Sequence, residues 1–377
     1  MTVTGGDGGD GNGWAGGPEE DGLFEGVPVP PMQRVATHRR RRRWSRPVKL
    51  VAVPIVVVVL AITLWYQLNS NALGPQGRQV VLVVKEGEST SAVISQLQKD
   101  HVIASSWAFK LSDVLDGNLS VSPGGYALHE NQTYGSVRAI LDGAPNIYPV
   151  TVEPGYMLSE VAARINDLPG HANSSFAKVA ASGVVPSSFS PAGSTNLEGL
   201  LGTGNYLVLP GETDSQILQQ MVTRFEQQAA QAGLTTQAAS VLGLTPYQVV
   251  TAASIVEKEG YISPNMPDVA RVIYNRLAAD MPLQMDSTVL YALGQDGGPV
   301  TPADEQINSP YNTYLNAGLT PTPICSPSVD ALRAAVDPPA GDWLYFELVK
   351  KDGTEAFSST FAGQLANEKL AQSRGLG

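Results

Sequence analysis

Cysteine is almost missing from this chain. Cys325 stands alone among 377 residues, so no intrachain disulfide can staple the fold and no cysteine-rich metal site is available. Histidine is nearly as scarce: His38, His101, His129 and His171 are scattered and offer no ligand set for a zinc hydrolase. Positive charge is short as well. Eight of the 24 basic residues lie at or before Lys49 against six of the 35 acidic ones, so the remainder carries 29 acidic and 16 basic residues. A surface of that sign repels nucleic acid, which is excluded as a partner.

The first 33 residues lack apolar periodicity and are rich in glycine, proline and acidic side chains, a composition that builds no core and reads as a disordered tail. A basic run follows, Arg39 to Arg43 with Arg46 and Lys49, and leads directly into the one long apolar stretch, Leu50 to Tyr66. That stretch is about long enough to cross a bilayer as a helix, with Trp65 and Tyr66 at interface depth and Pro54 tolerable inside a span. The arginines keep a tail of residues 1–47 cytoplasmic and send everything beyond a transmembrane helix at 48–68 outside, the topology of a single-pass protein of the cytoplasmic membrane. A cleaved signal peptide is the alternative, with Ser70-Asn71-Ala72 as a passable site but too long an apolar core. For the basic run, attraction to anionic lipid is a simpler account than contact with another protein.

Beyond the span, "QVVLVV" at 79–84 is β-branched and strand-like, "KEGEST" turns, and Val93, Ile94 and Leu97 then take helical spacing. The same grammar recurs as a strand at 148–152, the turn Glu153-Pro154-Gly155, and a helix carrying Leu158, Val161, Ala162 and Ile165, a weak internal repeat. Between them "GGYALHENQTYGSVRAIL" gives another strand and helix. Residues 79–170 therefore predict a small α+β domain, 171–196 a Ser-, Ala- and Pro-rich linker or loosely packed helical excursion, and 197–370 a mainly helical domain with short strands. The second domain includes a helix from Asp214, as N-cap, to about Ala232, with Ile217, Leu218, Met221, Val222 and Phe225 as its apolar stripe. The strand-turn-helix units resemble LysM-like modules, which bind glycan chains, although the same pattern is a common way to pack a small sheet.

Thr245-Pro246 is a good helix start and Gly260 a good stop, which predicts a helix over 246–259 whose uncharged middle, "VVTAASIV", is buried. It ends in Glu257-Lys258-Glu259. On a helical wheel Glu257 falls within about 20° of Val250 and beside Ala253 and Ser254, small side chains that leave room for a cleft, while Glu259 points about 200° away, towards Ile255 and Ala252. Burial and the negative helix end both raise a carboxyl pKa, so Glu257 is the candidate general acid; a solvated helix end is the plain alternative. Further on, Ser309, Tyr311, Asn312, Thr313 and Tyr314 cluster in a long loop. Aromatic faces and planar amides of this kind grip sugars, but a proline-rich surface loop with stacked tyrosines has the same composition.

Five stretches taken together, "ASIVEKE" (253–259), "VARVIYNRL" (269–277), "MPLQMDSTVLYALG" (281–294), "SPYNTY" (309–314) and "LYF" (344–346), resemble in order and spacing the endolytic murein transglycosylase, or YceG-like, family. The resemblance covers about residues 79 to 370. It implies cleavage of the MurNAc–GlcNAc bond within nascent peptidoglycan strands at the outer face of the membrane, without a cofactor, and makes peptidoglycan synthases candidate partners. It maps the catalytic glutamate onto Glu257, which would protonate the bond oxygen and then take the proton of the MurNAc C6 hydroxyl as that oxygen attacks C1, leaving a 1,6-anhydro end. No second catalytic carboxylate is then required, unlike the usual glycosidase pair. Gln284, Asp286, Ser287, Thr288, Tyr311 and Asn312 are implied to line the glycan groove. One stretch departs: "LEGLLGTGNY" (197–206) lacks the aromatic, proline and aspartate of the family's "LEGYLFPDTY", keeping Glu198 and Tyr206.

Overall fold

A computed structural model describes residues 46–70, 74–171 and 175–376, so the acidic tail and the Arg39–Arg43 run lie outside the described residues, as does most of the Ser70-Asn71-Ala72 site. The chain divides after Ala61 into two units. Helix α1 (Arg46–Ser70) keeps its helical course through Pro54. Its stretch Leu50–Ser70 has a mean hydropathy of 2.3 and none of it is buried, so an apolar helix of bilayer length is present.

The second unit takes in the last turns of α1 and continues with β1 (Gln79–Val84), α2 (Thr90–Lys99), α3 (Ser106–Asp116), β2 (Gly124–His129) and α4 (Tyr134–Leu141). The two strands pair antiparallel from Gln79 opposite His129 to Val84 opposite Gly124. Each of the three helices starts on a hydroxyl: Ser89, Ser105 and Thr133 accept from the backbone amides of Ala92, Ala108 and Ser136, which satisfies donors that a helix start otherwise leaves bare. Leu82, Val84, Ile94, Leu97, Phe109, Tyr126, Leu128 and Val137 close a first core between sheet and helices.

A second core begins at β3 (Tyr148–Val152) and α5 (Leu158–Asn166), which the sequence grouped with the first domain. β3 pairs not with β1 or β2 but with β4 (Gly204–Val208), antiparallel. The expected linker is also part of this core: α6 (Phe176–Ala180) buries Phe176 and Ala180 completely. Helix α7 (Asp214–Gln231) is capped one residue earlier than expected, by Thr213 in a capping box with Gln216. Asp214 instead accepts from the amide (2.9 Å) and hydroxyl (3.1 Å) of Ser175 and ties the start of α6 to that of α7.

After α8 (Thr236–Val241), α9 (Pro246–Glu259) runs through the interior. Val249, Val250 and Ala253 pack into the second core, while Ala252, Ile255 and Val256 pack into a third, built with α10 (Met266–Ala278), α11 (Asp286–Leu293) and α12 (Val329–Val336). The chain closes with the hairpin β5 (Tyr345–Leu348) and β6 (Glu355–Ser358), covered by α13 (Phe361–Ser373).

The departing stretch at 197–206 is core. Leu200 and Leu201 are fully buried, and the Gly202 amide donates to the Met221 carbonyl at 2.9 Å. A Cβ on Gly202 would lie 2.6 Å from the Phe225 nitrogen and 2.8 Å from the Arg224 carbonyl carbon, so β4 can meet α7 only through a glycine. Gly202→Ala is therefore expected to cost about 2 kcal/mol through overpacking against backbone. Gly135→Ala, in open space on α4, should be neutral or slightly stabilising. Thermal unfolding of the detergent-solubilised full chain checks both, with a fall of several degrees expected for the first variant alone.

Candidate active site

The small residues of α9 make room for a neighbouring strand of protein rather than for a cleft. Ser254 Oγ accepts from the Ile324 amide (3.0 Å), Ser254 O accepts from the Cys325 thiol (3.2 Å), and Cys325 is wholly buried against this face. Glu257 follows the same face. Its Oε2 accepts from the Ser328 amide (2.8 Å), the N-cap of α12, and it is absent from the lining of the two cavities described next.

Glu259, on the other face, lines both of them. One cavity, of about 370 Å³, lies between Lys258, Glu259, Ser287, Tyr291 and the turn at 295–298. The other, of about 430 Å³, lies between Glu259, Gln284, Tyr314 and the C-terminal elements, with Tyr345 and Glu347 of β5 and Gln364 of α13 in its wall. Glu259, Tyr261 and Asp286 belong to both, so the two cavities meet at the end of α9. The Glu259 Oε1 accepts from the Ser287 hydroxyl (2.6 Å) and amide (3.2 Å), at the start of α11. Burial raises its pKa, and the charge of Asp286 pushes the same way against those two hydrogen bonds.

The remaining expected residues divide by role. Gln284 lines the second cavity from a left-handed conformation (φ 51°), with its amide donating to Thr313 O (3.1 Å). Asp286 and Ser287 stand at the junction, and Asp286 Oδ1 accepts from the Tyr314 hydroxyl at 2.5 Å. Thr288 is fully buried, its hydroxyl 2.9 Å from that of Thr313, and Asn312, also fully buried, donates to the carbonyls of Glu305 (2.8 Å) and Ile307 (2.9 Å). These two hold the loop rather than face a cavity. Tyr311 stacks on Tyr291 with ring centres 4.8 Å apart and shares a hydrogen bond with Thr322 (2.9 Å), so it supports the cavity wall from behind.

Arg276 and Glu355 were not singled out from sequence, and Lys258 and Glu198 were named there but not assigned to the site. Lys258, beside the first cavity, pairs with Asp296 on a turn carrying Gly294, Gly297 and Gly298, all at positive φ. Arg276 is buried and donates to the carbonyls of Leu283 (2.6 Å) and Leu344 (2.6 Å), joining the segment before α11 to the C-terminal hairpin. Glu198 is buried, accepts from the Leu158 amide (3.0 Å) and the Tyr291 hydroxyl (3.1 Å), and is pushed by burial up to about 7. Glu355, with neither carboxyl oxygen hydrogen-bonded, is pushed up to about 8 by burial first and by Glu259 next. The signal for Glu259 was present in its sequence; the wheel separated the two glutamates but could not say which face meets protein.

The arrangement is a two-sided cleft with a carboxyl of raised pKa at its middle, polar and aromatic walls, and no group of three metal-ligating side chains among the described residues. Comparison with known proteins identifies the family. A protein named endolytic murein transglycosylase from Bacillus subtilis is 30% identical over 310 residues, covering 77% of this chain and 84% of its own. One of the same name from Streptococcus pneumoniae is 36% identical over 155 residues, 40% of this chain but 28% of its own length. A crystal structure of a YceG-like protein from Listeria monocytogenes matches at 27% identity and a TM-score of 0.49, over 77% of this chain and 99% of that one. The family profile described as YceG-like matches residues 82–370, and the chain belongs to the YceG-like family.

Proposed function

We propose that this protein is a membrane-anchored lytic transglycosylase that cuts MurNAc–GlcNAc bonds within nascent peptidoglycan strands and ends their elongation. The name shared by its relatives supports the reaction class, and the apolar helix α1 supports the anchor, with the tail inside and the cleft outside. The order β1-α2-α3-β2, an antiparallel pair with two helices between, supports a LysM-like glycan-binding role for the first domain. Peptidoglycan synthases remain the fitting protein partners.

The observation that carries the mechanism is the position of Glu259 where the two cavities meet. It favours Glu259 over Glu257 as the acid and base. Ser287 engages Oε1, which leaves Oε2 to carry the proton towards the bond oxygen. As the C1–O bond breaks, that proton passes to the leaving GlcNAc oxygen. The MurNAc C6 oxygen then bonds to C1, and its proton returns to the Glu259 carboxylate, which closes the 1,6-anhydro ring and resets the enzyme. Gln284, Asp286 and Ser287 face the sugars, while Thr288, Tyr311 and Asn312 fix the walls. Glu257, bonded to the start of α12, is a structural carboxylate.

Mass spectrometry of peptidoglycan digested by the full chain in liposomes tests the assignment. Glu259→Gln is expected to abolish 1,6-anhydro products while glycan binding survives, and Glu257→Gln to retain them; the reverse pattern would return the role to Glu257. Reducing-end products from the unaltered protein would instead indicate a hydrolase with Asp286 activating water, and no products at all a wall-binding scaffold.

The pH profile offers a second check. An acid works while protonated, so kcat/KM falls as pH rises through the raised pKa of Glu259. Asp286 helps to raise it, and Asp286→Asn removes the negative charge that disfavours ionisation. The alkaline limb should move to lower pH in that variant, and an unmoved limb would separate Asp286 from the acid.

A further inference from the structure

Helix α3 wears its polarity inside out. Its two long charged side chains nearest the middle are engaged by protein: Lys110 Nζ donates to Ser91 Oγ (2.6 Å), and Asp113 accepts from the Leu119 amide (2.6 Å) and from Arg138 (3.3 Å). Ala108, Phe109 and Ser112 face the first core. What it turns to the outside is mainly apolar: Trp107, Val114 and Leu115 are 62%, 73% and 71% exposed, and Asp116 at its C-terminal end is the one charged residue exposed beside them. At spacings of seven and eight residues these three share one stripe of the helix, about 12 Å long.

The position of that stripe says what covers it. Trp107 touches Trp65, with ring centres 5.2 Å apart and the rings at 62°. Trp65 belongs to the last turns of α1, and its neighbour Tyr66 packs against the first core, so the end of the apolar helix and the start of α3 are held side by side. From Leu50 to Trp65 α1 rises about 22 Å, against a hydrocarbon thickness of about 30 Å. With Leu50 at the inner edge, Trp65 therefore lies about 8 Å inside the outer one, within the boundary region where tryptophan concentrates in membrane proteins. A side chain in contact with it is at the same depth.

We infer that α3 is an in-plane membrane helix, which seats Trp107, Val114 and Leu115 in the headgroup and acyl boundary of the outer leaflet beside the exit of α1. The inference rests on the proposed reading of α1 as a bilayer anchor. An interfacial helix of this kind buries its apolar face about 5–10 Å into the boundary.

Single cysteines carrying an environment-sensitive fluorophore test this in the full chain reconstituted in liposomes. Cys325 is fully buried and stays unlabelled in the folded protein, so the labels go to Leu115→Cys on α3, to Leu60→Cys inside α1, and to Val241→Cys, an exposed position on α8. Quenching is read from lipids bearing a nitroxide high on the acyl chain and, separately, from iodide in the water. The Leu115 label should be quenched by the lipid several-fold more than the Val241 label and shielded from iodide. If it is quenched by iodide as Val241 is while the Leu60 label responds to lipid, the anchor stands and the inference about α3 falls. Shielding from both quenchers would place a protein, such as a second copy of this chain, on the stripe and also overturn it. A Leu60 label that fails to respond to lipid would remove the anchor itself and α3 with it.

Discussion

The burial of α9 between two cores is the constraint on which the site depends. A helix with no charge from Pro246 to Val256 can sit inside a protein, and its flanks are then filled by the second core on one side and the third on the other. Its middle is sealed, and solvent is reached at the first turn, where Gln248 is exposed, and at the last. The three charged residues there are rigidly aimed, because the helix cannot rotate without exposing Val249 or Ile255. Glu257 meets the start of α12, Lys258 meets Asp296, and Glu259 meets the start of α11 and the cleft.

Two helix starts thus receive the two glutamates. Each offers backbone amides to a carboxylate, but the surroundings differ. At α12 the carboxylate accepts from the N-cap amide and lines neither of the two cavities. At α11 the second carboxylate faces both cavities, and burial together with the charge of Asp286 raises its hold on a proton. The chemistry follows from what the rest of each neighbourhood withholds.

Much of this was legible in the sequence. Helical spacing and capping located α7 and α9 to within a residue, because each has a clear apolar stripe or a good start and stop. Long-range pairing was not legible. β3 resembles β1 in its local grammar, yet it joins β4 across more than 50 residues, which no period in the chain reveals. The same blindness affected the site. Ala253 and Ser254 are small, and smallness serves a close-packed segment as well as a cleft; only the position of Ile324 and Cys325 decides between them. The departure of 197–206 from the family pattern falls on Leu200, Leu201 and Gly202, which pack the core, and none of residues 200–205 lines the two cavities.

The junction of two cavities at one carboxyl has a consequence for which polymers are worth cutting. Walls stand on both sides of Glu259, those of the turn at 295–298 on one and those of β5 and α13 on the other. A strand threaded through both is gripped up- and downstream of the susceptible bond, whereas a short fragment or a chain terminus fills one half and leaves the other in water. On the proposed reading the cleft measures its substrate, and sugar fragments below a threshold length escape further breakdown.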